Sequence, residues 1–133
     1  MEVRVPRPIF LLDFIDGQQD AFEKGLKQSR ARTVQRVPAP VVMEVSYGAE
    51  FGGDKDRRNV QNALRMSPVV EQDETISHRA GQLLAHAAQQ ADGESGIDKV
   101  DPMIAAVSDI YNEPVLTANF EHFGRLGVLV ESY

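Results

Sequence analysis

Residues 96–123 read GIDKVDPMIAAVSDIYNEPVLTANFEHF, and the fold follows from how this stretch is parsed. Ile97, Val100, Met103/Ile104, Val107 and Ile110/Tyr111 recur at helical spacing. Asp98, Asp101, Ala105 and Ser108 form a second stripe, which makes Asp98 and Asp101 neighbours on one helix face. Pro102 fits a first helical turn, where its missing N–H costs nothing. Asp101 then sits at or near the N-cap, its carboxylate beside the positive end of the helix dipole. Asn112-Glu113-Pro114 ends the helix. Val115-Leu116-Thr117 is a short apolar run of the kind that forms a buried parallel strand. Thr117-Ala118-Asn119 leaves polar groups at that strand's C-terminal end, where open α/β sheets build their sites.

Outward from this stretch, helices alternate with short apolar strands, the pattern of a parallel sheet covered on both faces. Residues 10–17 and 18–32 read as helices. Thr33–Val37 reads as a strand closed by Pro38-Ala39-Pro40, and residues 41–51 as a helix with Val41, Val42, Val45 and Ala49 on its apolar side. Residues 56–66 form a charged helix with Val60, Leu64 and Met66 inward. Pro68-Val69-Val70 is a short strand, and Asp73 caps a helix that runs to about Gln90. Gly127–Glu131 is a last strand. The predicted architecture is a three-layer α/β/α fold around a mainly parallel sheet of 4–5 short strands, one domain over residues 1–133.

Asp101-Pro102-Met103-Ile104-Ala105-Ala106, then an apolar triplet, Thr117-x-Asn119 and His122-Phe123, resembles the C-terminal half of a PIN domain. It is most similar to the VapC-like toxins of toxin–antitoxin pairs. Glu44-x-x-x-Gly48 resembles the second acidic motif of the same family. The resemblance implies an endoribonuclease that cuts RNA with Mg²⁺ or Mn²⁺ held by acidic residues. It implies a cognate antitoxin as partner and a homodimer. Asp101 matches the acid of the Asp-x-x-Ile-Ala-Ala motif, and Thr117 and Asn119 match the polar motif after the fourth strand. The candidate metal ligands are therefore Glu44, Asp101 and Asp98, with Glu44, Asp101 and Asn119 as the catalytic set. All are hard oxygen donors, which suit Mg²⁺ or Mn²⁺. The plain alternative is that Asp98 and Asp101 only cap a helix, and that Glu44 is a surface carboxylate.

Residues 1–9 depart from the family. Val3 and Val5 alternate with Glu2 and Arg4 like a strand, but Pro6 and Pro8 remove two backbone donors, which a central strand does not tolerate. Aligned on Phe10-Leu11-Leu12, the first acidic ligand is replaced by Arg7. At about 4 Å and an effective dielectric near 20, each unit-charge interaction is roughly 4 kcal/mol. Exchanging an anion for a cation therefore weakens metal binding or removes it. Asp13 is a substitute carboxylate, about one and a half helical turns further on. The sequence thus carries a second reading: a catalytically inactive PIN-like module that dimerises and binds antitoxin or RNA. A third is a small-molecule-binding α/β domain, which requires a pocket without clustered carboxylates.

Composition narrows the remaining classes. The chain has 133 residues, with 42% hydrophobic and 26% charged, ordinary for a globular protein with one core. It contains no Cys, which excludes a disulfide framework and thiolate metal sites. The formal net charge of −6 excludes a generally basic surface of the kind that non-specific nucleic-acid binders use. RNA contact is then local, at Lys24, Lys27, Arg30, Arg32 and Arg36 or at Arg57, Arg58 and Arg65, unless these simply solvate helix faces. His78, His86 and His122 share no metal-ligand spacing. Apolar runs fall short of a membrane span and no signal-peptide core opens the chain, so a cytoplasmic protein without membrane partners is expected.

Overall fold

A computed structural model of the chain describes residues 3–6, 34–65, 67–91, 93, 96–97, 100–116 and 120–131. Its strands are β1 (Val3–Pro6), β2 (Val34–Gln35), β3 (Val37–Pro38), β4 (Val69–Val70), β5 (Val115–Leu116) and β6 (Val130–Glu131). All described pairings are parallel. One sheet runs β2-β1-β5-β6 and a second pairs β3 with β4. Only Arg36 separates β2 from β3. Residues 34–38 therefore bond to β1 through one half and to β4 through the other, and carry the sheet across from β4 to β6. Val-rich strands in such a sheet match the expected α/β class, since parallel strands are buried on both faces.

The central position of β1 corrects the sequence reading of residues 1–9. Val3–Pro6 is a strand with a parallel neighbour on each side, Val3 facing Val34 and Pro6 facing Leu116. The strand accommodates Pro6 because it is the last residue. The fixed φ of proline lies near extended values, and the lost N–H falls where the ladder stops. Pro8, Arg7, Asp13 and the two helices expected over 10–32 lie outside the described residues.

Helices α1 (Ala39–Glu50), α2 (Asp54–Arg65), α3 (Glu74–Gln90), α4 (Val100–Tyr111) and α5 (Phe120–Arg125) follow the strands. Pro38 is the N-cap of α1 and Pro40 lies in its first turn. The prolines thus start this helix two residues earlier than the periodicity predicts. The Asp73 carboxylate accepts from the Ile76 N–H at 2.9 Å, the expected cap of α3. Helix α4 packs on β1, β3 and β5 on one side and on α3 and α1 on others. Pro102, Ile104, Ala105, Ala106, Val107 and Ser108 are all buried. Both sequence stripes of α4 face protein, not one, because the helix is enclosed between sheet and α3. Small residues at 105, 106 and 108 let these neighbours approach. The apolar stripe stops short of its predicted end, for Ile110 and Tyr111 are exposed.

The exit of α4 is tightly specified. Asn112 adopts a left-handed φ of 53°. The Glu113 N–H donates to the Ser108 carbonyl at 3.0 Å and the Asn112 N–H to the Asp109 carbonyl at 3.3 Å, the paired bonds of a Schellman stop. The Ser108 hydroxyl donates back to the Glu113 carbonyl. The Glu113 carboxylate accepts from Arg36 Nε at 3.0 Å, and the Arg36 guanidinium lies 4.2 Å from the centre of the Tyr111 ring. This contact ties the break between β2 and β3 to the turn that launches β5.

Two stability measurements test this description. Ile104 is fully buried beneath the sheet, so Ile104→Ala is expected to cost about 2–5 kcal/mol in urea unfolding. Phe51→Ala, on an exposed residue, should change stability by no more than about 0.5 kcal/mol. At the left-handed position, Asn112→Ala should lose about 1 kcal/mol or more, whereas Asn112→Gly, free of the Cβ penalty, should not. Equal losses for Ala and Gly would mean that the Asn112 side chain, not its backbone, matters.

Candidate functional site

The parallel topology fixes where the predicted site residues fall. Helix α4 leads through residues 112–114 into β5, so its C-terminal end lies by the start of that strand. Its N-terminal end, with Asp101 in the first turn, therefore lies toward the C-terminal edge of the sheet. Helix α1 leaves β3 without an intervening loop, so its first turns rise from that same edge. Glu44 lies on α1, which packs against α4. β1 and β5 end at Pro6 and Leu116 on this edge. Asp98, Thr117 and Asn119 lie outside the described residues, as does the side chain of His122.

Asp101 is the second residue of its helix and not the cap, and only 3% of it is exposed. A carboxylate is not buried without partners, because desolvation disfavours its charge. Neither Asp101 nor the half-buried Glu44 lacks a partner. The helix dipole adds a favourable interaction for Asp101, about 0.3–1 kcal/mol when exposed and up to about 2 kcal/mol when partly buried. Burial holds the Asp101 carboxylate in place, which a metal ligand or a positioned hydrogen-bond acceptor requires.

Among the described residues, no group of three or more His, Cys, Asp or Glu side chains is placed to hold a metal ion. Glu44 and Asp101 are the two described members of the predicted set. Their chemistry fits Mg²⁺ or Mn²⁺, which take anionic oxygens and complete their shell with water and phosphate. His78 and His86 are exposed on α3, His78 within 3.3 Å of Gln82.

Two of the predicted RNA-contacting cations are already engaged. Arg36 is paired with Glu113. Arg57 bridges Glu50, at 3.0 Å, and Asp54, and the Asp54 hydrogen bond, followed by the charge of Glu50, holds its guanidinium above its usual pKa. These contacts brace the helices and leave Arg58 and Arg65 as the exposed members of that group. Lys24, Lys27, Arg30 and Arg32 lie outside the described residues.

Sequence reasoning passed over a different feature. Met43, Tyr47 and Phe51 are 61%, 69% and 78% exposed. They lie four residues apart on the outer side of α1, with the Tyr47 and Phe51 rings edge to face at 5.1 Å. The spacing was visible in the sequence. It was masked by the stronger Val41–Val45–Ala49 stripe, which claims the opposite, buried side. Among the described residues, no helix is long and apolar enough to cross a membrane.

A family model described as PIN domain matches residues 10–129. A chain of the VapBC2 complex from Rickettsia felis, solved bound to a promoter DNA fragment, superposes with a TM-score of 0.83 at 17% identity, over 98% of each chain. A chain of the DNA-bound VapBC complex from Salmonella typhimurium gives 0.81 at 21% identity, over 99% of this chain and 98% of that one. A toxin–antitoxin complex from Klebsiella pneumoniae gives 0.69 at 19% identity, over 90% and 89%. At these identities the likeness is one of fold. No curated protein matches the chain.

Thermal unfolding in the presence of Mn²⁺ tests the site. At a metal concentration about 100 times Kd, a ligand that binds only the folded state adds about 2.7 kcal/mol. Arg7→Asp is expected to show such a gain and the unmodified chain a smaller one. Asp101→Asn should remove the gain from both. Asp109→Asn, on an exposed carboxylate paired with Arg79, should leave it intact. A gain that survives Asp101→Asn would place the metal elsewhere.

Proposed function

The chain belongs to the PIN domain family, and from that premise we propose that it is built as a metal-dependent endoribonuclease of VapC toxin type. RNA is its substrate and a cognate antitoxin its partner, and it acts as a homodimer in the cytoplasm. The observation that carries this reading is the buried Asp101 in the first turn of α4, at the C-terminal edge of a parallel sheet. Near full-length likeness to chains of VapBC complexes supports the partnership.

Glu44, Asp101 and Asp98 would hold Mg²⁺ or Mn²⁺. When bound, the metal neutralises charge on the scissile phosphate and lowers the pKa of a water nucleophile. Asp101 contributes a carboxylate whose position is fixed by its helix. Glu44 contributes a second from the adjoining helix, and Asn119 a neutral amide that orients substrate or water by hydrogen bonding. The exposed Met43, Tyr47 and Phe51 supply apolar surface of the kind that protein partners cover.

A specific observation favours a second reading, a catalytically inactive PIN-like module that binds antitoxin or RNA and dimerises. Arg7 directly follows the central strand β1, where the family resemblance calls for the first acid. A cation there opposes the metal that the other carboxylates attract.

Cleavage assays separate the two readings. The unmodified chain is expected to cut RNA weakly or not at all. Arg7→Asp should raise metal affinity and metal-dependent cleavage at least about tenfold, since only 1.4 kcal/mol is needed for that factor. An Asp101→Asn change in the same background should abolish the activity, excluding contaminating ribonuclease. Strong, Asp101-dependent cleavage by the unmodified chain would retire the inactive reading and mean either that Arg7 does not occupy the first acid's place or that a carboxylate such as Asp13 completes the set with Glu44, Asp101 and Asp98.

Partnership is tested by co-expression with the products of adjacent short genes. A small protein is expected to co-purify and to insert Arg or Lys, or an apolar helix, against the acidic edge, because a cation relieves the repulsion of clustered carboxylates. A chain that remains partnerless under these conditions would count against the toxin–antitoxin assignment.

A further inference from the structure

No further inference is drawn: the strongest candidate, the exposed stripe of Met43, Tyr47 and Phe51 on the outer side of helix α1, carries nothing beyond the partnered reading above because nothing in the structure shows what covers it.

Discussion

Enclosure of α4 between the sheet and α3 is the constraint on which the other elements depend. From Asp101 to Ser108 only Met103 is more than marginally accessible. Such a helix must be apolar nearly all round, and its two buried polar side chains must be satisfied locally. Ser108 meets this requirement through the Glu113 carbonyl. Asp101 meets it at the helix N-terminus, where the dipole and its partners offset desolvation. The same burial that makes Asp101 costly to accommodate also fixes its position. A fold-determining helix and a candidate site residue are thus products of one packing arrangement.

The second constraint is the interrupted strand at residues 34–38. Arg36 divides the strand, and its guanidinium reaches across to Glu113 and Tyr111 at the far end of α4. Its ion pair is partly buried, with the Glu113 side chain only 12% exposed. A removed partner would leave a partly desolvated charge behind, so the pair specifies geometry more than it adds net stability. Through it, the start of β5 and the junction of β2 with β3 are held together. The β5 register with β1 and β6 then sets where the strand's C-terminal end emerges. The two ends of α4 therefore have different duties: the C-terminal end anchors the sheet and the N-terminal end presents Asp101.

Surface charge follows the same division. The net charge is −6, yet among the described residues Arg57 is paired with Glu50 of the preceding helix and with Asp54 of its own, and Arg79 with Asp109 of α4. Exposed pairs of this kind contribute little stability. Their consequence is that a count of basic residues overstates the cationic surface open to a polyanion. Among the described residues, three of the most exposed large apolar side chains, Met43, Tyr47 and Phe51, lie along α1 and its C-cap, on the helix that also carries Glu44.

Much of the fold was legible in the sequence because local signals agreed with the global arrangement. The 3.6-residue period located α3 and α4, Asp73 marked a cap, and Asn112-Glu113-Pro114 marked a stop; each reports backbone chemistry confined to a few neighbours. The order of the Asp101, Thr117 and Asn119 motifs resembles that of the PIN family, to which the chain belongs. Three features depended on tertiary context. By residue type Pro6 argues against a central strand, but it is the last residue of β1, where the ladder ends. Arg36 is by sequence a candidate RNA contact or a solvated cation, and only the approach of α4 supplies Glu113, 77 positions away. Asp101 is expected at or near the N-cap and lies in the first turn, and packing is what adds its near-complete burial. Sequence determines which residues can cap, alternate or ligate. Which of them lose their water is decided by elements distant in the chain, and it is that loss that gives a charge its chemical consequence.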